Sequence, residues 1–395
     1  MKKRIMILGA GVYQVPLINT TREMGFEAVV VSPKGNYPGI SLADIFLDID
    51  TTDTERIVQI AREYGVSGIV TTGTDVCLPA IGAVADALGL KGPSKRIADI
   101  ASSKTAFRFF LSESGLNSPD FARCECAQDA WDFYQKINDS MVVKPDDSSG
   151  SRGVMVLDSG QTKESIMVAY RNAVMFSRNG RVCAESFVEG IEAGGEAFFL
   201  NGNLQFFTTT FKHMNGVLVQ GHSVPSGLSE SELLIVKNEV CRVASNLGYE
   251  NGPMNFDVII HDKRAIIIEL GLRNGGNGIF DLIYHSEGIN LAEWLLAYIL
   301  GGSVPEQRCL ESKEVSSYVF GSERAGTLIS VSSLQELTAA VPEVFDMVLA
   351  QKPGDHVAPF VHNANQIGYV LIYCGLAGYK RVSTQIRNVL RIEVK

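Results

Sequence analysis

Over residues 1 to about 95, short apolar runs alternate with amphipathic stretches, and this alternation limits the fold more than any other feature of the chain. Ile5–Leu8, Ala28–Ser32, Ile45–Leu47 and Gly68–Thr72 read as strands. Val12–Met24, Thr54–Tyr64 and Leu78–Leu88 read as helices closed by Gly25, Gly65 and Gly89. Helices that carry the chain from strand to strand give a parallel sheet covered on its faces, the α/β class. Gly9-Ala10-Gly11 falls in the first strand–helix turn, where dinucleotides often bind. That fingerprint needs a third glycine where this chain has Gln14, and the second strand ends Val31-Ser32-Pro33-Lys34, with no acid for a ribose. A structural turn, or one holding a substrate anion, is favoured over a nicotinamide site.

A chain of 395 residues is too long for one ordinary core. Gly92-Pro93-Ser94 marks one boundary and a composition change after about 301 marks another, giving units 1–95, 96–300 and 301–395. In the last unit, strands are expected near Ser316–Phe320 and Gly368–Tyr373, with helices near Leu334–Ala340 and Arg381–Leu390. The net charge of -9 argues against nucleic acid and anionic membranes as partners. The scattered cysteines (Cys77, Cys124, Cys126, Cys183, Cys241, Cys309, Cys374) form no Cys-x-x-Cys pair and fit reduced thiols in the cytoplasm. The apolar run after Met1-Lys2-Lys3-Arg4 stops at Gly9, too short for a signal peptide. No uncharged stretch approaches the roughly 20 residues of a membrane span.

In the middle unit, Ile97–Gly115 reads as a helical stretch carrying Lys104. The apolar run Met141-Val142-Val143 then delivers Lys144, breaks into Asp146-Asp147-Ser148-Ser149-Gly150-Ser151-Arg152-Gly153, and resumes at Val154. Small side chains leave backbone N–H groups free to wrap phosphate oxygens beside a fixed lysine. No Gly-Lys-Ser/Thr opens a helix here, so this is not a Walker loop. Ala197–Val224 reads as antiparallel hairpins and Ser229–Leu247 as a helix ended by Gly248.

The strands Asn255–Ile260 and Ala265–Leu270, joined by His261-Asp262-Lys263-Arg264, carry Asp257 and Glu269 in apolar surroundings. Alternation puts both carboxylates on one face at the same point of the hairpin. Facing acids repel unless a cation lies between them, and hard oxygen ligands favour Mg²⁺. Arg273 and Asn274-Gly275-Gly276-Asn277-Gly278 follow, a guanidinium beside an open loop suited to phosphate or carboxylate. Cys183-Ala184-Glu185-Ser186-Phe187-Val188-Glu189-Gly190-Ile191-Glu192 is a strand-to-loop segment whose backbone suits a base edge and whose acids suit ribose hydroxyls. His213, His222 and His285 read as hydrogen-bonded structural histidines.

Taken in order, these motifs resemble the ATP-grasp superfamily along nearly the whole chain. The likeness is greatest to the branch of biotin carboxylase, carbamoyl-phosphate synthase and the glycinamide ribonucleotide ligases. It implies a Rossmann-like pre-ATP domain, a two-lobed grasp domain with a flexible phosphate loop near 147–153, and a small C-terminal α+β domain. It also implies ATP with Mg²⁺ (or Mn²⁺), small carboxylate and amine substrates, and a homodimer as a common assembly. Residue by residue, the resemblance makes Lys104 and Lys144 phosphate contacts and Ser149, Gly150 and Ser151 part of the closing loop. Glu185 with Phe187 and Val188 would read adenine, and Glu192 would hold the ribose. Asp257 and Glu269 would hold metal, Arg273 would steady the transferred phosphate or the acyl intermediate, and Gly275, Gly276 and Asn277 would meet substrate. The implied reaction is ligation through an acyl phosphate, releasing ADP and phosphate. One departure stands out: the family's Glu-x-Asn-x-Arg has Gly271 at its asparagine position. The competing readings are a non-catalytic nucleotide-binding module, a biotin-carboxylase-like enzyme and an NAD-dependent oxidoreductase. The turn Gly9–Gly11, the segment Thr72–Asp75 and the loop Gly275–Gly278 are expected to set specificity.

Overall fold

A computed structural model describes residues 2–216, 218–308 and 313–395. Strands β1 (Arg4–Leu8), β2 (Glu27–Ser32), β3 (Ile45–Asp48) and β4 (Gly68–Val70) form a parallel sheet in the order β3-β2-β1-β4. Helices α1 (Val15–Glu23), α2 (Thr54–Glu63) and α3 (Leu78–Leu88) run between or after them. The expected first helix begins instead as a 3₁₀ turn at Val12–Gln14, and Pro16 sits in the first turn of α1, where its missing N–H costs nothing.

The expected single helical stretch from Ile97 to Gly115 is two helices, α4 (Lys95–Ser102) and α5 (Lys104–Glu113). Ser103 breaks them: its backbone is extended and its hydroxyl accepts from the N–H of Ala106, capping α5. Lys104 therefore stands at the first position of α5.

A small antiparallel sheet follows, β5 (Phe121–Cys124), β6 (Met141–Pro145), β7 (Met155–Leu157) and β8 (Val182–Ser186), ordered β5-β8-β6-β7. Helices α6 (Ala127–Ile137) and α7 (Lys163–Phe176) cover it, with Phe133, Ile166 and Ala169 in its core. The long strands β9 (Ile191–Leu200), β10 (Asn203–Asn215), β11 (Leu218–Val224), β12 (Gly252–His261) and β13 (Arg264–Gly271) make the second lobe, backed by α8 (Glu230–Leu247). Helices α9 (Ile279–Glu287) and α10 (Leu291–Ile299) follow.

The remaining residues give β14 (Val315–Phe320), β15 (Gly326–Val331), α11 (Leu334–Ala340), β16 (Val344–Leu349), β17 (His356–Val357), β18 (Gly368–Ile372), α12 (Leu376–Val389) and β19 (Ile392–Val394). Three of these strands do not form a sheet of their own. They extend the grasp lobe into one eight-stranded antiparallel sheet, β13-β12-β9-β10-β11-β14-β18-β16, because β11 pairs with β14 through Ser223–Ser316 and Val224–Val315. The first boundary is bridged too. One core joins Met6, Leu8, Val29 and Val31 to Val240 of α8 and to Val258 and Ile267 of β12 and β13. Among the described residues no helix is long and apolar enough to cross a membrane. Six cysteines are free thiols, and Cys309 lies outside the described residues.

Candidate active site

The turn Gly9–Gly11 is structural. The Gln14 side chain folds into it, so that a Cβ on Gly9 would lie 2.9 Å from Gln14 Cδ, and Gln14 Nε2 donates to the carbonyl of Thr72. Gly9, Ala10 and Gly11, expected to set specificity, do not border the cavity described next, whereas Tyr13, just beyond the turn, does.

One cavity of about 860 Å³ opens between the small sheet, the long sheet and the N-terminal unit. Lys104, Lys144, Asp257, Glu269 and Arg273 all border it, as do Ser149, Gly150 and Ser151. Glu185, Phe187, Val188 and Glu192 border it as well, together with Gly275, Gly276 and Asn277. The sequence-predicted residues thus come together from elements spread between Lys104 and Asn277.

Strand pairing brings the two acids side by side. Asp257 on β12 lies directly opposite Glu269 on β13, with a bulge just after Asp257. Each is neutralised by a lysine from another element: Lys104 Nζ is 3.1 Å from Glu269 Oε1, and Lys212 Nζ is 2.8 Å from Asp257 Oδ2. Lys212 also reaches Glu192 at 3.1 Å. Burial would raise the Glu269 carboxyl, but Lys104 and Lys144 outweigh it and hold the group below its ordinary range. Asp257 goes the other way: burial, and then the neighbouring Glu269, raise it despite Lys212. Additional positive charge is what would hold both acids ionised. The donor set therefore fits a hard divalent ion bound through one or two carboxylates, with the rest of its shell from phosphate and water. Among the described residues no cluster of three or more His, Cys, Asp or Glu side chains is set to hold a metal without such help.

Lys144 is held from behind. Its Nζ lies 2.7 Å from Glu185 Oε2, and Arg108 Nη2 donates to the same oxygen at 3.1 Å. Arg108 is fully buried and also donates to the carbonyls of Ile267 and Ile268 on β13 (3.0 and 2.7 Å), tying the small sheet to the long one. Burial would raise Glu185, but Arg108 and Lys144 pull it down to about 2. The Glu185 carboxylate, expected with Phe187 and Val188 at the adenine, is held by two cations and positions Lys144.

Gly271 has a local explanation. A Cβ there would lie 2.5 Å from Asp75 Oδ1 and 2.9 Å from Arg273 Cζ. The space of the missing asparagine side chain is filled by a two-pronged ion pair, Arg273 Nε–Asp75 Oδ1 at 2.8 Å and Nη2–Oδ2 at 2.6 Å. Arg273 Nη1 also donates to Asn255 Oδ1 at 2.8 Å. Asp75 comes from the N-terminal unit, so the guanidinium is fixed across a unit boundary.

Sequence reasoning assigned no role to Lys212, Arg108 or Glu196, and named Asp75 only as the end of the Thr72–Asp75 specificity segment. Glu196 is fully buried beneath the Gly275 loop, accepting from Asn255 Nδ2 (2.7 Å), Asn274 Nδ2 (3.1 Å) and the N–H of Gly275 (2.8 Å). The signal available was charge inside otherwise apolar strand and helix segments, which demands a partner once buried. Two of the histidines read as structural make hydrogen bonds within the protein, and one of them, His222, also borders the cavity. His213 stacks on Tyr379 and bonds Ser223, and His222 bonds Thr210. Burial lowers them to about 4 and about 3, so both stay neutral near pH 7.

Residues 137–281 match the family model for the ATP-grasp domain. The chain is similar to a formate-dependent phosphoribosylglycinamide formyltransferase of Prochlorococcus marinus, 22% identical over 349 residues, 85% of each chain. It is also similar to a phosphoribosylamine–glycine ligase of Methanococcoides burtonii, 32% identical over 176 residues, 43% of this chain and 39% of the relative. Among solved structures, an L-amino acid ligase of Bacillus licheniformis shares the fold with a TM-score of 0.84 at 20% identity, covering 100% of this chain and 99% of the other. The motif order, the fold and the family match agree that residues 137–281 carry an ATP-grasp domain.

Proposed function

We propose that this chain is an ATP-dependent ligase that joins a small carboxylic acid to an amine through an acyl phosphate, releasing ADP and phosphate. The observation that carries the reading is the meeting of Lys104, Lys144, Asp257, Glu269 and Arg273 with a serine- and glycine-rich loop on one cavity. Similar proteins include two named as ligases, one for glycine and one for amino acids, which makes C–N bond formation the chemistry to test first.

Lys144 and Lys104 hold phosphate oxygens, and the backbone of Ser149–Ser151 closes over them. The backbone at Phe187 and Val188, beside apolar Val142 and Val156, receives the base, and Glu192 the ribose hydroxyls. Asp257 and Glu269 would hold Mg²⁺ or Mn²⁺, which when bound draws charge from the transferred phosphoryl group. Arg273, kept rigid by Asp75 and Asn255, offers its N–H groups to the activated carboxylate. These cations are oriented before reaction and need no reorganisation during it, which is where electrostatic catalysis gains most. Closure of the loop keeps water from the acyl phosphate until the amine arrives. Gly275, Gly276 and Asn277 border the substrate end.

The test is ADP release measured over a panel of carboxylate and amine pairs, with mass spectrometry of the product. With a productive pair in hand, Lys144→Ala, Glu269→Ala and Arg273→Ala should each lower turnover by roughly 10²–10³ or more while the thermal melt stays cooperative. Wild-type-like ADP release from any of the three would count against the assignment. Nucleotide binding with no ADP release from any pair would favour a non-catalytic module.

A further inference from the structure

Glu196 on β9 is fully buried and does not border the cavity, yet the donors to its carboxylate all come from the surroundings of Arg273. Asn255 Nδ2 (2.7 Å) and the N–H of Gly275 (2.8 Å) donate to Oε1, and Asn274 Nδ2 (3.1 Å) donates to Oε2. Among the described residues no basic side chain lies within ion-pair distance of it. Burying a carboxylate without a paired cation is unfavourable. Here those three donors, with the charge of Arg273 beyond them, work against that cost.

Two lines of contact lead out from the carboxylate. One runs through Asn255, its cross-strand neighbour on β12, whose Oδ1 accepts from Arg273 Nη1 at 2.8 Å. The other runs into the loop after Arg273. Gly275 packs so closely that a Cβ there would lie 2.7 Å from Glu196 Oε1 and 2.7 Å from Ile279 Cδ1. Gly276 and Asn277, next along the loop, border the cavity together with Arg273. One buried group thus sets both the guanidinium and the loop. The nucleotide side is supported separately, with Lys144 held by Glu185.

We propose that Glu196 is a positioning residue for the ligation: it fixes the spacing between the Arg273 guanidinium and the substrate loop Asn274–Asn277, and so governs the reaction of the carboxylate substrate and not the binding of nucleotide. This rests on the roles given above to Arg273 and the loop, and adds to them a residue outside the cavity.

The experiment compares the full chain of wild type with Glu196→Ala, Glu196→Gln, Asn255→Ala and Asn274→Ala. Three quantities are measured: steady-state kinetics with a productive pair, calorimetric affinity for the β,γ-imido analogue of ATP in excess Mg²⁺, and hydrogen exchange without substrate. Small displacements of reacting groups cost up to about a hundredfold, so Glu196→Ala should lower kcat/KM for the carboxylate by roughly ten- to a hundredfold. Glu196→Gln keeps an oxygen for Asn255 and Gly275, and its amide can donate to Asn274 Oδ1, which has no partner among the described residues. It should recover most of the loss. Cutting one line at a time should divide the effect, Asn255→Ala mainly lowering kcat and Asn274→Ala mainly raising the carboxylate KM. These two variants carry the comparison if Glu196→Ala does not fold. Exchange at residues 274–277 should quicken in Glu196→Ala and Asn274→Ala, with analogue affinity at the wild-type value throughout. Wild-type kcat/KM in Glu196→Ala, or in both asparagine variants, overturns the proposal. So does analogue affinity that falls in step with turnover, because Glu196 would then support the whole site without distinction. If no pair releases ADP, the ligase reading fails by itself; quickened exchange at 274–277 then still supports the contact, and unchanged exchange overturns it.

Discussion

Glu196 shows what one buried side chain does to the pH response. Burial raises its carboxyl from an ordinary 4.5 to about 7, against the lowering effects of Arg273 and its hydrogen-bond donors. The folded protein thus binds a proton that the unfolded chain releases near pH 4.5, and this contribution to stability fades as pH rises from about 4.5 through about 7. The span is on the order of 3 kcal/mol. Asn274 Oδ1 has no partner, and a flipped amide would present it to the protonated carboxyl. Urea midpoints measured between pH 4.5 and 7.5 should fall with rising pH in the wild type and fall less in Glu196→Gln; parallel curves would remove Glu196 as the cause. Gly271 is the second instructive residue. From sequence it reads as a lost metal ligand, whereas in space it is the clearance that lets Arg273 fold back onto Asp75.

At the scale of elements, α5 is positioned by the loop that leaves β6. Asp146, two residues beyond Lys144, accepts from the N–H of Thr105 (2.8 Å), from Ser103 Oγ (2.8 Å) and from Asn179 Nδ2 (2.8 Å). Its carbonyl accepts from the N–H of Lys104 at 2.9 Å. One aspartate therefore caps the helix that begins with Lys104 and ties it to the strand that carries Lys144. Burial would raise its carboxyl, but the bonds from Thr105, Asn179 and Ser103 prevail and hold it below the ordinary range. That stabilisation is present above the ordinary carboxylate range and is lost as pH falls. Asp146→Ala should cost about 2–3 kcal/mol at pH 7, and the gap to wild type should narrow in acid. An unchanged denaturation midpoint at pH 7 would refute the cap. The helix–strand alternation and the Asp257–Glu269 hairpin were legible because period and register are local properties. The break at Ser103 was not, because a serine reads as a cap only once its partner is known to follow.

At the scale of the whole molecule, three units meet on one phenol. Tyr13 donates to Asn277 Oδ1 and accepts from Gln366 Nε2 at 2.7 Å, while its ring lies where a Cβ on Gly73 or Gly276 would come within 2.7 or 2.9 Å. Thr72 also bridges to Asn274, with Gly73 N–H bonded to its carbonyl at 2.9 Å. Tyr13→Phe should destabilise by about 1 kcal/mol and speed hydrogen exchange at residues 275–277 and 363–366, leaving β1 and β2 protected. Uniform exchange across the chain would show that the phenol does not join the units. The sequence by itself determined the α/β start, the antiparallel lobe, the loop after Lys144 and which charged residues were candidates, since hydrophobic period and residue chemistry are written locally. Only the tertiary structure decided that β14, β18 and β16 extend the grasp sheet, that Glu185 serves Lys144, and that Asp75 holds Arg273. Each of these is a contact between segments tens to hundreds of residues apart, and in a buried site a charge takes its role from whichever opposite charge the fold sets beside it.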